Sequence, residues 1–214
     1  MQNKNLDITE KSIKLAKFLG CSKWTGLGSH AEYGNLNIKI DELSDCKPTT
    51  LYGKVKLETG KKSLNLCKSY GILGKWVRIF NTYGPNDNES WLIPYLIDHL
   101  LKNKTPKLTP CEQIWDYLHI NDAVKAIILL NDSNKDGIYN LGSSSPRKLK
   151  KYIEIICSEI KGKKKLSFGE RSYRKDQIMK LHPDISKIKK DLNWKPLIPF
   201  KKGIKNLISN YYEN

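Results

Sequence analysis

Long apolar stretches are missing from this 214-residue sequence, which limits the places where the protein can work. No stretch approaches the roughly 18 apolar residues that a membrane-spanning helix needs. The first residues, Met-Gln-Asn-Lys-Asn, also lack the apolar core of a secretory signal peptide. We therefore expect a cytoplasmic protein that does not enter a membrane.

Closely spaced cysteines are also missing. The sequence has no C-x-x-C pair and no histidine at a metal-ligand spacing, and its five cysteines are scattered: Cys21, Cys46, Cys67, Cys111 and Cys157. A disulfide framework or a zinc site needs a tighter pattern than this. We expect reduced thiols and no metal site.

Acidic residues are few, because 22 Asp and Glu stand against 38 Lys and Arg and give a net charge of +16. Basic runs occur at residues 147–151, 161–165 and 187–190. One hypothesis is therefore a basic nucleic-acid-binding protein. However, no basic run is interleaved with stacking aromatic residues, and no helix-turn-helix signature accompanies the runs. We expect no nucleic-acid partner, and instead a positive field that attracts a diphosphate-bearing substrate.

What the sequence does contain is a Tyr and a Lys four residues apart, Tyr52 and Lys56, with Ser29 lying 23 residues upstream of the Tyr. Residues i and i+4 share one face of a helix, so a phenol and an ammonium would point into one site. A phenol is a poor acid or base at neutral pH unless a positive charge favours its ionised form. A serine hydroxyl arriving from another element could polarise a substrate oxygen beside them.

Further motifs surround this set. In order they are G-L-G-S-H-A-E-Y-G at 26–34, V-R-I-F-N-T-Y-G-P at 77–85, W-D-Y-L-H-I-N-D-A at 115–123, I-Y-N-L-G at 138–142 and L-N-W-K-P at 192–196. In this order and at these intervals the set resembles the extended short-chain dehydrogenase/reductases that act on nucleotide sugars, the NAD-dependent epimerase/dehydratase family. The resemblance covers roughly residues 8 to 212.

The resemblance implies an α/β fold: a partial Rossmann-like (doubly wound) parallel sheet with a smaller, mainly helical substrate-binding lobe. Residues 1–84, with 112–145, would form the sheet domain, and 85–111 with 146–214 the lobe. Local patterns agree. They predict strands at 23–27, 76–80 and 137–141, and helices at 10–19 (capped by Thr9), 50–70, 90–101, 120–130, 149–160, 185–192 and 200–211.

The resemblance also assigns roles around a bound NAD or NADP. Tyr52 would be the acid/base that moves a proton at the sugar hydroxyl or ketone. Lys56 would hold the nicotinamide ribose together with Tyr52 and favour ionisation of the phenol. Ser29 would donate a hydrogen bond to the same sugar oxygen.

The nucleotide-diphosphate sugar would be held by residues further along the chain. By the resemblance, Asn81 contacts the sugar nucleotide, and Arg174 or Arg171 binds the diphosphate, which suits the bidentate geometry of a guanidinium. A solvated loop charge is an equally simple reading of both arginines. His30 stands beside Ser29, but neighbours on an extended segment point to opposite faces, which disfavours a role as base.

Two departures from the family pattern change the expectation. No G-x-G-x-x-G or G-x-x-G-x-x-G turn for the cofactor pyrophosphate occurs in residues 1–30, so the chain looks like the C-terminal two-thirds of such an enzyme, completed by an N-terminal segment. An inactive remnant and one half of a split enzyme are the alternatives. In either form the resemblance implies a homodimer through the helices that precede Ser29 and carry Tyr52.

The second departure concerns the reaction. Sugar 4,6-dehydratases of this family follow the catalytic hydroxyl with an acidic pair, whereas here His30 and Ala31 follow Ser29 and Glu32 comes one place too late. A 4-epimerase or a 4-keto-sugar reductase needs only the Ser-Tyr-Lys set and the cofactor. We therefore expect one of these two activities, and the resemblance implies that it serves the synthesis of surface polysaccharide precursors.

Overall fold

A computed structural model describes residues 2–162 and 165–213 of the chain. The helices are α1 Gln2–Phe18, α2 Leu51–Ser69, α3 Leu92–Leu101, α4 Ile120–Asp132, α5 Leu149–Glu159, α6 Ser186–Leu192 and α7 Phe200–Glu213. The strands are β1 Lys23–Ser29, β2 Lys39–Ile40, β3 Leu73–Ile79, β4 Thr82–Tyr83, β5 Ile114–Trp115, β6 Leu118–His119, β7 Gly137–Leu141, β8 Arg147–Lys148 and β9 His182–Pro183.

The central sheet has three parallel strands in the order β1-β3-β7. Strand β1 pairs along its whole length with β3, and β3 pairs with β7 from Lys75 onward. Parallel pairing requires a crossover between neighbouring strands. In sequence, helix α2 lies between β1 and β3, and α4 lies between β3 and β7. The predicted α/β class with a parallel sheet is confirmed.

Most of the local predictions are confirmed, and two element starts are wrong. Helix α1 begins at Gln2, not after Thr9, so the threonine lies inside a helix that ion pairs at i,i+4 such as Asp7–Lys11 support. Strand β3 begins at Leu73, earlier than the predicted 76. The missing side chain of Gly74 is what allows the strand to approach α2, because a Cβ there would lie 2.7 Å from the Cβ of Cys67.

Helices α3, α5 and α7 enclose a continuous apolar core that includes Tyr83, Tyr117, Tyr152 and Phe200. We call this part the helical lobe. A second core lies on one face of the sheet, where Val77 and Leu130 pack. The side chains of Ile185, Ile188 and Trp194 belong to this second core, although the predicted division assigns them to the lobe. The division into 1–84 with 112–145 and 85–111 with 146–214 stays a prediction.

Three short strand pairs join distant segments. Strand β2 pairs with β9, where the Lys39 ammonium lies 2.6 Å from the Asp184 carboxylate, and β4–β6 and β5–β8 are the other pairs. No helix in the described part of the chain is both long and apolar enough to cross a bilayer. Within the basic run 161–165, Lys163 and Lys164 lie outside the described residues.

Candidate functional site

Ser29 is the last residue of β1, at the carboxyl end of the parallel sheet, where ligands bind in open α/β folds. The chain then turns into a three-residue 3₁₀ helix, His30–Glu32, for which Ser29 is the N-cap. The hydroxyl accepts a hydrogen bond of 3.2 Å from the Ala31 backbone N–H. This bond fixes the hydroxyl at the end of the strand and leaves its own proton available to donate.

Tyr52 and Lys56 lie on the first two turns of α2, which Thr50 caps by accepting from the Gly53 N–H at 3.0 Å. Gly53 allows this end of α2 to touch the 3₁₀ helix, because a Cβ there would meet the Ala31 carbonyl oxygen at 2.2 Å. The close approach brings the tyrosine and the lysine to the end of the strand that carries Ser29. Tyr52 remains 41% exposed.

The Lys56 ammonium occupies the space between α2 and the sheet edge. It donates a 2.7 Å hydrogen bond to the carbonyl oxygen of Leu27 in β1 and lies 5.9 Å from the centre of the Tyr52 ring. Burial lowers the pKa of Lys56, and the carboxylate of Glu32 opposes that shift. In the described residues β1 pairs on one side only, with β3, so the lysine binds a carbonyl of the open edge.

Beneath Ser29 lies a buried ion pair that the sequence analysis did not predict. The Glu32 carboxylate accepts hydrogen bonds from the Ser29 N–H at 2.8 Å, from Trp76 Nε1 at 2.9 Å and from Arg78 Nε at 2.7 Å. The guanidinium of Arg78 also stacks on Tyr33, 4.4 Å from the ring centre. A recognisable signal was available, because Ser-x-x-Glu at 29–32 is the capping-box pattern.

One cleft of about 700 Å³ opens at this end of the sheet. Of the predicted site residues, five line it: Ser29, Tyr52, Lys56, Asn81 and Arg174. Its volume lies in the range of small-molecule sites, roughly 300–1,000 Å³. Arg171 does not line it, because its guanidinium stacks over Tyr95 at 5.3 Å from the ring centre.

Asn81 follows β3 and has a bracing role as well as a place in the cleft wall. Its side-chain amide donates to the Asp116 carbonyl at 3.3 Å, and its own carbonyl accepts from the Leu118 N–H at 2.9 Å. The opposite wall is formed by residues that the sequence analysis did not assign to the site, among them Asp87, Trp91 and Tyr117. Residues so far apart in the sequence form no local motif, so their meeting in one cleft could not be predicted from the sequence.

His30 lines the same cleft as Ser29, although neighbours on an extended strand point to opposite faces. The reason is local: Ser29 is extended, with φ −149° and ψ 150°, but the 3₁₀ helix begins at His30 and ends the alternation of an extended strand.

Two acidic residues of the later motifs hold loops in place. The Asp116 carboxylate accepts from the Ser143 N–H at 2.6 Å and from the Ser145 N–H at 3.0 Å. Asp122 accepts from two consecutive backbone N–H groups, those of Leu197 and Ile198, at 3.0 and 2.8 Å. These bonds connect the C-terminal segment to the start of α4, and the loop after β7 to the turn between β5 and β6.

Several known proteins are similar to this chain in sequence or in fold. A Methanocaldococcus jannaschii protein provisionally named UDP-glucose 4-epimerase is 31% identical over 194 residues, which cover 86% of this chain and 60% of that protein. The CDP-abequose synthase of Salmonella muenchen is 29% identical over 136 residues, or 62% of this chain and 46% of the synthase. This chain therefore spans about half to three-fifths of the length of these two relatives.

Among solved structures, the UDP-N-acetylglucosamine 4-epimerase from Methanobrevibacter ruminantium, in complex with UDP-N-acetylmuramic acid, superposes with a TM-score of 0.90. It is 22% identical, and the match covers 97% of this chain and 68% of that one. Other structures with the same fold hold NAD or NADPH. The profile of the NAD dependent epimerase/dehydratase family matches residues 1–142, and the chain belongs to that family, whose members are enzymes of nucleotide-sugar metabolism.

Proposed function

We propose that this chain carries the catalytic and sugar-nucleotide site of a nucleotide-sugar 4-epimerase or 4-keto-sugar reductase that uses NAD or NADP. The observation that carries the proposal is the convergence of Ser29, Tyr52 and Lys56 on one cleft, from the end of a strand and the first turns of α2. A hydroxyl, a phenol and an ammonium on one wall are the groups that proton transfer at a sugar oxygen needs.

The proton moves at Tyr52. As a sugar hydroxyl is oxidised, the phenolate oxygen takes the hydroxyl proton, and as a keto group is reduced the phenol returns it. The Lys56 ammonium lies 5.9 Å from the centre of that ring. Ser29 donates a hydrogen bond to the same sugar oxygen and so stabilises the negative charge that develops there. Bound NAD or NADP supplies hydride transfer.

The residues of this chain fit one end of that cofactor. Tyr52 and Lys56 line the cleft where the nicotinamide ribose would lie, and an ammonium has three donors, of which the Leu27 carbonyl uses one. The pyrophosphate needs a different structure, a Gly-rich turn before a helix, and no such turn occurs in residues 1–30. We therefore expect full cofactor affinity only when an N-terminal segment adds that turn.

The sugar nucleotide would lie across the cleft from the cofactor. Arg174 supports this by its place in the wall, where a guanidinium can bind a diphosphate bidentately. Arg171 is the weaker candidate because it is engaged with Tyr95. Asn81 is part of the wall and can contact the sugar nucleotide through its amide.

The position of Glu32 argues against a 4,6-dehydratase. Its carboxylate is buried and already accepts three hydrogen bonds from Ser29, Trp76 and Arg78. It does not line the cleft, so it cannot donate a proton to a departing sugar hydroxyl there.

A homodimer through α1 and α2 is part of the proposal. The apolar side chains of Leu15, Phe18 and Leu19 are 56%, 85% and 64% exposed on and just after α1, which packs beside α2. Exposed apolar patches of this kind often mark interfaces. Light scattering after gel filtration tests this directly: twice the chain mass is expected, and a mass of one chain would contradict it.

The deciding experiment is calorimetry of the purified chain with NAD(H), NADP(H) and UDP-glucose, alone and after addition of any polypeptide encoded just upstream. Sugar-nucleotide binding by the chain alone, and cofactor binding that appears only with the added segment, would support a complete site assembled from two parts. Tight cofactor binding by the chain alone would contradict the need for that segment. Binding of neither ligand under any condition would identify an inactive remnant.

A further inference from the structure

The imidazole of His30 is held at the cleft in one orientation. Its ring packs against Phe80, with 5.8 Å between ring centres and 35° between ring planes. The residue follows Ser29 directly, at the point where the extended strand turns into the 3₁₀ helix, and both residues line the cleft. A polar ring so fixed beside a substrate-facing hydroxyl is placed to meet the same ligand.

The two ring nitrogens have different surroundings. Nδ1 is buried and has no hydrogen-bond partner in the described part of the chain. A proton on Nδ1 would leave a buried N–H unsatisfied, whereas a proton on Nε2 leaves only a lone pair at Nδ1. The neutral ring therefore carries its proton on Nε2, which is not among the buried unpaired atoms of the described residues.

Burial of the ring, rather than a neighbouring charge, favours the same neutral state. Lys56 and Arg174 are the cations in the cleft wall and Asp87 lies in the wall as well. Burial lowers the pKa of His30 to about 4, so the ring stays uncharged through the neutral range. A neutral imidazole that keeps its proton acts as a hydrogen-bond donor and not as a general base at these pH values.

We propose that His30 is a substrate-binding residue whose Nε2–H donates a hydrogen bond to a sugar oxygen adjacent to the one that Ser29 contacts. The inference rests on the proposed function, because it takes the ligand to be a nucleotide sugar. His30 then helps the site distinguish a nucleotide sugar from the free nucleoside diphosphate, which offers no oxygen at this place. Its contribution is to binding and orientation of the sugar, while Tyr52 moves the proton.

Two variants of the full chain test this by calorimetry, each with UDP-glucose, dTDP-glucose and CDP-glucose and with the three free diphosphates. His30→Leu removes the donor, and His30→Gln keeps an N–H donor at a similar distance from the backbone. For the nucleotide sugar that binds, we expect His30→Leu to raise Kd about tenfold, the effect of one lost hydrogen bond, and His30→Gln to stay within about threefold of wild type. The Kd for the free diphosphate should not change. Equal affinity of His30→Leu and wild type for the nucleotide sugar would overturn the proposal.

Nitrogen-15 NMR of the wild-type chain supplies a readout that does not depend on a variant folding. We expect His30 to be in the Nε2–H form, and its ring signals to shift on addition of the nucleotide sugar but not of the free diphosphate. An Nδ1–H form, or no ligand-dependent shift, would overturn the proposal even if His30→Leu failed to fold. Binding of the nucleotide sugar without any change at His30 removes this inference alone. If none of the three nucleotide sugars binds, the proposed function fails together with it.

Discussion

Tyrosines occupy two contrasting environments in this protein. In the helical lobe, Tyr83, Tyr117 and Tyr152 are buried around Phe200, and burial is the main cause that raises the pKa of all three phenols. At the cleft, Tyr52 is 41% exposed and has the Lys56 ammonium 5.9 Å from its ring centre. The same side chain therefore fills a core in one region and is available for proton transfer in the other.

The polar groups of the two regions differ in a related way. The lobe core is aromatic and aliphatic, with rings packed edge to face, as in Tyr117 on Tyr152 at 5.1 Å and 86°. Behind the cleft, in contrast, the ion pair of Glu32 and Arg78 is almost wholly buried, with side-chain exposures of 0% and 4%. The lobe is held by apolar packing, whereas the end of β1 beside the cleft is held by a buried charge pair.

Replacement of Tyr52 by Phe has the largest expected effect, because it removes the acid/base and leaves the fold. Turnover should fall by about 10²–10⁴-fold, the usual contribution of general acid–base catalysis. The measurement is the rate at which UDP-glucose reduces the cofactor, in whichever form of the protein calorimetry shows to bind both. Tyr211→Phe is the matched control, because Tyr211 is 42% exposed on α7. Near-normal turnover of Tyr52→Phe would remove the acid/base assignment.

Replacement of Glu32 by Ala tests the buried charge pair. The change leaves the Arg78 guanidinium buried without its partner, and the free energy of unfolding in urea should fall by about 3–5 kcal/mol. The matched control is Glu58→Ala, which breaks an exposed pair with Lys62 at 2.7 Å and should leave the unfolding midpoint nearly unchanged. Equal effects of the two replacements would mean that the buried ion pair contributes no more to stability than the exposed one.

The sequence predicted the parts of the molecule that local rules determine. Strand β7 at 137–141 and the helix that begins at Leu149 follow from composition and periodicity over a few residues. The Glu32–Arg78 pair joins residues 46 positions apart, and strands β2 and β9 exist only because they pair with each other. Such features depend on tertiary contacts, which no local pattern encodes.

The candidate site divides in the same way. Ser29, Tyr52 and Lys56 belong to motifs, and the structure brings them to one cleft. His30 could not be placed from the strand alternation, because its direction is set by a 3₁₀ turn. Arg171 was predicted near the ligand, but its stacking on Tyr95 depends on how a loop meets α3.

Acid should lower the stability of the folded protein through His30. The folded protein binds a proton at this ring only near pH 4, whereas the unfolded chain binds it near the ordinary histidine value of 6.5. Lowering the pH through that window therefore favours unfolding, by up to about 3 kcal/mol from this residue. We expect urea unfolding of His30→Gln to lose less stability between about pH 6.5 and 4 than wild type does. Parallel curves for the two proteins would contradict the burial of this ring.

The smallest expected effect on stability comes from replacing Lys56. This replacement tests whether the residue contributes to cofactor binding or to the free energy of unfolding. Lys56→Met keeps an unbranched side chain of similar length, and it removes one hydrogen bond, to the Leu27 carbonyl, so the free energy of unfolding should change by about 1 kcal/mol or less. Cofactor affinity should nevertheless fall about tenfold. In the wild type two ammonium donors are not used by the Leu27 carbonyl and can bind the ribose hydroxyls, and methionine has no such donors. Lys54→Met is the control, since Lys54 is exposed two residues away on the opposite side of α2. Unchanged cofactor affinity in Lys56→Met would show that the ammonium serves the strand edge alone. A loss of stability as large as that of Glu32→Ala would instead make Lys56 part of the same structural network as the ion pair.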